Sequence, residues 1–224
     1  MIILFSLLSS ASATPIHGGE LAGTFQDSAY TLPKGDVRLQ IILPSSYGVT
    51  DTIEVSTAPL GLLSGPNASA EFQLFADDKQ AVSVRPTASI LWDGTTLSTG
   101  ASAIYTLGGP ETNRLNVSIG ANYTTLVDDP SLISAISVGY DLNLNDRSML
   151  QFNALVDPVT SINEDGFSGQ VNIGYTRAWK VYRLQVGVVT INSGVVQETL
   201  DEFEIDLNFP GVLPLPYILM WWRI

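Results

Sequence analysis

The sequence predicts an all-β chain that closes into a transmembrane, antiparallel up-and-down barrel of about twelve strands, with ten as the next count. Three observations carry that expectation. Period-two alternation recurs along most of the chain, several alternating segments are too long for ordinary soluble strands, and one face of each strand is free of charge.

The alternation is clearest where Leu115, Val117, Ile119, Ala121 and Tyr123 interleave with Asn116, Ser118, Gly120 and Asn122. Successive side chains of a strand point to opposite faces, so this segment has one apolar and one polar face. The same pattern marks strands at 37–43, 53–56, 71–74, 82–92, 136–144, 170–176, 182–188 and 202–209. Weaker patterns place strands at 97–107, 148–157 and 214–223, and residues 25–32 form a marginal candidate. Turn residues separate the runs: 76–79, Asp93-Gly94, Asn145-Asp146-Arg147 and Trp179-Lys180 are short connections, whereas 59–67, 157–166 and 192–199 are longer.

Segments 80–92, 113–126, 132–144 and 166–178 hold their pattern for about 12 residues, against a usual strand of about 5–6. A tilted strand needs about 9–11 residues to cross hydrocarbon. Arg38, Glu54, Glu71, Arg85, Asp141, Arg183, Glu202, Glu204 and Asp206 all fall on the polar face, among Gly, Ser, Thr and Asn. Sparse charge among small polar residues suits a hydrated, confined lumen, so these nine are expected to face inward. Trp92, Tyr105, Tyr123, Tyr140, Tyr175 and Tyr182 sit on the apolar face at or near strand ends, where an interfacial aromatic girdle belongs. A β-sandwich also has two-faced strands, but its outer face usually carries more Lys and Glu. Hydrocarbon offers no hydrogen-bond partner to an open sheet edge, so a membrane sheet must close.

Composition agrees. Charged residues make up 14% of the 224, against roughly 25% in soluble domains. The net charge of −12 argues against nucleic acid, which is bound mainly through cations. With no cysteine there is no disulfide framework, thiolate metal site or thiol nucleophile. Residues 1–13 read as a signal peptide: an apolar run too short to span as a helix, then Ala11-Ser12-Ala13, a small-x-small cleavage site that would start the mature chain at Thr14. Residues 14–224 then form one barrel domain.

No catalytic, cofactor-binding or metal site is expected, and the chain does not read as an enzyme. The one histidine, His17, lies outside every strand and is expected to be a solvated terminal residue rather than a base. Glu202, Glu204 and Asp206 share one strand face roughly 7 Å apart. That stripe either favours cations in the lumen or is neutralised by Arg38, Arg85 or Arg183 across the barrel. Asp128-Asp129 and Glu164-Asp165 read as solvated loop charge rather than Ca²⁺ ligands.

With these features the chain resembles the broad group of bacterial outer-membrane β-barrel proteins, including small porin-like channels. Tyr47-Gly48-Val49-Thr50-Asp51 followed by Ile53-Glu54-Val55 resembles their tight strand-turn-strand connections. The C-terminus alternates Ile218, Met220, Trp222 and Ile224 as their final strand does, but ends on Ile rather than an aromatic; Phe203, Ile205, Leu207 and Phe209 fit that pattern better, one segment earlier. The resemblance implies a Gram-negative outer membrane, contact with lipid, insertion by the outer-membrane assembly machinery, and a passive channel or structural envelope role. The rival readings are a secreted or surface β-sandwich binding module and, third, a barrel enzyme.

Overall fold

In a computed structural model the described residues are 16–20, 27–40, 43–125, 131–158, 169–192 and 212–224. Twelve strands form one closed antiparallel barrel in which each pairs with its sequence neighbours and the first pairs with the last. They are β1 (Val37–Gln40), β2 (Ser45–Thr50), β3 (Ile53–Thr57), β4 (Asn67–Ala76), β5 (Gln80–Ile90), β6 (Leu97–Leu107), β7 (Arg114–Thr125), β8 (Ser131–Asn145), β9 (Ser148–Val156), β10 (Gly169–Trp179), β11 (Tyr182–Asn192) and β12 (Val212–Arg223). The closed ring excludes the sandwich.

The two ends of the barrel differ. Residues 51–52, 77–79, 108–113, 146–147 and 180–181 make tight connections at one end, called here the short-turn end. The ends of β1, β3, β5, β7, β9 and β11 lie at the other, the loop end, where the described connections include 58–66 and 91–96. Bulges interrupt the register at Gly48/Thr50, Gln73/Phe75 and Asn143/Asn145, each beside a short turn. One extra residue there adds local twist as the strand enters its hairpin.

The distribution of side chains is inside out. Leu39, Val55, Phe72, Ile119, Val138, Ile173 and Ile218 are exposed on the outer wall, whereas Arg38, Arg114, Arg183, Gln151 and Gln185 are among the largest fully buried side chains. A water-facing domain does the opposite. An apolar exterior running round a closed sheet is the arrangement of outer-membrane barrels, whose lumen is the polar side.

Two expectations need correction. Residues 27–32 are not a strand: they run inside the barrel, with Ala29, Tyr30 and Leu32 buried. Their apolar side chains pack against the inner wall rather than outside. The apolar face is also not free of charge at its rim, since Arg177 shares the outward parity of Val171, Ile173 and Tyr175; it lies near the short turns, where it donates to Ser148 (2.5 Å). The final strand is β12, formed by the weakly patterned C-terminal segment. The 203–209 segment, the signal peptide, Asp128-Asp129 and Glu164-Asp165 lie outside the described residues.

The two faces should respond differently to charge. Ile119→Arg, on the outward face, is expected to destabilise the inserted barrel by about 2–4 kcal/mol if it lies near the bilayer midplane. Asn122→Arg, inward and exposed on the same strand, should cost far less. Urea titrations of the protein refolded into liposomes measure both, and equal costs would contradict the assignment of faces.

Candidate functional site

The site of interest is the short-turn half of the lumen, which the chain fills with its own N-terminal residues. Gly35, at φ +88°, turns the chain back into the barrel just before β1, a conformation that suits glycine. Asp36 and Gly35 then exchange backbone hydrogen bonds with Gly48 on β2, at 3.0 and 2.8 Å. A side chain at Gly48 would collide with the Pro33 carbonyl, so glycine lets the returning segment lie directly on the wall.

Outside a ladder, every buried N–H needs another acceptor. Here the inner wall supplies several. Leu32 N–H donates to Glu54 Oε2 (2.9 Å) and Ala29 N–H to Thr106 Oγ1 (2.9 Å). The Thr31 hydroxyl donates to the Asp51 carbonyl and Gln73 Oε1, at 3.1 and 3.0 Å. The Tyr30 hydroxyl reaches two short turns, donating to the carbonyls of Asp77 (3.0 Å) and Gly108 (2.8 Å). Burial, with Asp77 adding to it, pushes that hydroxyl up to about 12, which keeps it a donor. Asp27 reaches the middle of the barrel, where it pairs with Arg85 (2.5 Å) and accepts from Ser118 (2.8 Å).

Residues 16–20 form a second leg. Gly18 N–H donates to the Pro110 carbonyl (2.8 Å), and Gly19 has no room for a side chain against the Thr31 backbone. Glu20 is fully buried between Arg183 on β11 (2.8 Å) and Arg223 at the end of β12 (2.7 Å). Arg38 on β1 donates to its backbone carbonyl (2.8 Å), and Arg223 also pairs with Asp36 (2.7 Å). Glu20 therefore ties the segment to both sides of the β1–β12 closure. Burial opposes its charge, but Arg183 and Arg223 outweigh that and hold its carboxyl below the usual range.

His17 is a further correction. It is not a free terminal residue: it is half-buried inside the barrel, stands edge-on to Tyr30 with ring centroids 6.3 Å apart, and accepts from Gly19 N–H at Nδ1 (3.1 Å). Burial, reinforced by Arg223, lowers its pKa from 6.5 to about 4.

The other charged positions read from the sequence fall as follows. Arg38, Glu54, Glu71, Arg85, Asp141 and Arg183 lie inside the barrel, in pairs or networks: Arg85 with Glu71 (2.6 Å), Arg38 near Glu54 (4.0 Å), and Asp141 with Arg114 (2.8 Å). Glu202, Glu204 and Asp206 lie outside the described residues. The arginines considered as their neutralisers are engaged by Glu20, Asp27, Glu54 and Glu71. On the outer wall Trp92 and Tyr123 lie toward the loop end, and Tyr105, Tyr140, Tyr175 and Tyr182 toward the short turns, where Trp179 and Trp222 join them. Glu20, Asp27, Arg114 and Arg223 were not read from the sequence. Arg114 and Arg223 share inward parity with Asn116 and Trp221, which could have revealed them, whereas Glu20 stands in no periodic segment and Asp27 in a run that is not a strand.

The lumen changes character along its axis. Toward the short turns it is packed by Ile16, Met149, Ala178, Leu219 and Trp221 and by Ala29, Tyr30, Ala81 and Ile104. Toward the loops a cavity of about 270 Å³ opens between Ser56, Ser69, Thr87, Ser89, Ser98 and Asn122. Comparison of the chain with protein-family models, with curated proteins and with solved structures finds no match.

Docking of the N-terminal segment should weaken in acid. The undocked His17 takes up a proton near 6.5 and the docked one only near 4, so protons favour release as pH falls through that window. Glu20, whose docked pKa is depressed, loses its contribution at still lower pH. Between pH 7.5 and 5, hydrogen-exchange protection of residues 16–20, corrected for intrinsic rates, should fall by about 30-fold. In His17→Asn that drop should vanish, and equal drops in both proteins would contradict the assignment.

Proposed function

We propose that this chain is a porin-like barrel of the bacterial outer membrane whose lumen its own N-terminal segment holds shut. The observation that carries the reading is Glu20, locked between Arg183 and Arg223 inside the barrel. Support for the membrane comes from the apolar exterior, the aromatic residues toward both ends and the two- and three-residue turns, which all lie at one end. In this reading a signal peptide exports the chain, the outer-membrane assembly machinery inserts it, and the short-turn end faces the periplasm.

The segment acts as a stopper because it replaces a water column with packed side chains and paired charges. Removing one partner of such a pair leaves a buried charge uncompensated, at about 3–5 kcal/mol. The reading is non-enzymatic: His17 is committed to the segment, and the interior carboxylates Glu20, Glu71 and Asp141 are held by arginines.

Single-channel recordings in planar bilayers test this. The wild type should show rare or small openings. The double variant Glu20→Gln, Asp27→Asn leaves Arg183, Arg223 and Arg85 short of their counter-charges, so it should open more often and shift selectivity toward anions. A wild type as conductive as the variant would refute the stopper. Silence in both would favour a structural envelope role.

A further inference from the structure

The barrel wall is uneven in height. Strands β1, β2 and β3 have 4, 6 and 5 residues, between β12 with 12 and β4 and β5 with 10 and 11. β12 pairs with β11 along its whole length, to Val212, but with β1 only through Trp221, Trp222 and Arg223. Among the described residues, no strand runs beside residues 214–218 on the β1 side. The connection from β1 to β2 does not fill the gap with Leu43, which packs inward against the cluster around Trp221.

The sequence is adapted to that edge. Arg223 N–H donates to Val181 on the β11 side and Ile224 N–H to Val37 on the β1 side. Backbone groups alternate in direction along a strand, so the even-numbered residues of β12 point to the uncovered side. Pro214 and Pro216 stand there, and neither has an N–H to leave unsatisfied. Across the low sector, Ile90 N–H donates to Pro66, so the even-numbered residues of β5 point toward β4. Pro86 is one of them, and the β4–β5 ladder has no pair between Ser69↔Thr87 and Phe72↔Val84. Pro214 and Pro216 thus remove two donors from the β12 edge of the low sector, where open backbone in hydrocarbon would otherwise be costly, and Pro86 loosens the β4–β5 ladder across from it.

A groove of about 640 Å³ lies over this sector of the outer wall, lined by Val37, Leu39, Tyr47, Val55, Ala68 and Ala88 among others. Sites for small ligands span about 300–1,000 Å³. Ser56, Ser69 and Thr87 line both this groove and the lumenal cavity on the other side of the sheet. The register turns Ile133 and Leu155 inward on the far wall and Val189 and Leu215 inward beside the low sector, and Ile133 and Leu215 are exposed there, at 50% and 37%. Among the described residues, this part of the lumen therefore sets Ser, Thr and Asn side chains on one side against apolar side chains on another. Arg85, at its floor, is already held by Glu71 and Asp27.

We propose that the low sector is a lateral portal through which a single-chain amphiphile with an uncharged polar head passes between the bilayer and the lumen. The apolar wall receives the chain, and Ser, Thr and Asn side chains receive the head. The paired state of Arg85 favours a neutral head over an anionic one. This rests on the membrane reading above.

The test reconstitutes the full chain in liposomes with a monoacylglycerol carrying a diazirine at the end of its acyl chain. Irradiation followed by peptide mass spectrometry locates the labels. Outward residues such as Ile119 and Val138 should be labelled from the bilayer, and inward Ile133, Leu155 and Leu215 through the portal. The groove-filling variants Ala68→Trp and Ala88→Trp, confirmed as folded by heat-modifiable gel mobility, should lose inward labelling several-fold and keep outward labelling. Ala154→Trp, outward on β9, should change neither. Inward labels that persist in the filled variants would mean entry through the loop end and overturn the portal. Labels confined to outward residues would overturn the portal and leave the membrane reading intact, whereas absence of outward labels would overturn both.

Discussion

Among the described residues the barrel closes through three residue pairs between β1 and β12, and the rest of the structure depends on that seam. Other neighbouring strands share up to eleven pairs, so the seam is among the thinnest parts of the wall. It is reinforced from two directions. Ile224 and Val37 exchange backbone hydrogen bonds at 2.8 and 2.9 Å, and Arg223 grips Asp36 and Glu20 from inside. Glu20 in turn holds Arg183 on β11, so the returning N-terminal segment serves as an internal strap across the closure. Closure and stoppering are then one arrangement: the charges that secure the seam also fill the short-turn end.

Short β1–β3 strands explain why the strap is needed. Among the described residues β1 offers only 4 residues of wall, and the strap adds side-chain contacts to the backbone pairing across the seam. The interior ion pairs contribute mainly by specifying one register, because bringing charges out of water offsets much of their attraction. The same low sector leaves an edge on β12, which Pro214 and Pro216 make tolerable by removing its donors.

Much of the fold was legible because the two environments of a barrel wall differ so sharply. Leu115 to Tyr123 present an apolar face outward and a polar face to the lumen, and the alternation records it residue by residue. Legibility failed where one face did not match its expected environment. β12 reads weakly because Leu215, Leu219 and Trp221 face inward and are as apolar as the outward Ile218 and Met220. Residues 25–32 look like a strand because the described part of that run buries its apolar side chains in the stopper. The alternation of 37–43 runs past the end of β1, since Leu43 is apolar for an inward contact. Inward charges such as Arg85 and Asp141 could be read by parity. The partner of Arg183 could not, because Glu20 meets it across 163 residues and no local pattern encodes that meeting.

The barrel wall turns an apolar face outward around a lumen that, among the described residues, holds a cavity toward the loops and is packed toward the short turns. The chain has no cysteine, so single cysteines introduced one at a time along β7 report without background. In liposomes, reaction with a membrane-impermeant maleimide should be fast at inward Asn122 and Gly120, and absent at outward Val117, Ile119 and Ala121. It should also be suppressed at inward Asn116 and Ser118, which the N-terminal segment covers. Reactivity without alternation would contradict the barrel orientation, and equal reactivity at residues 116 and 122 would contradict the closed end.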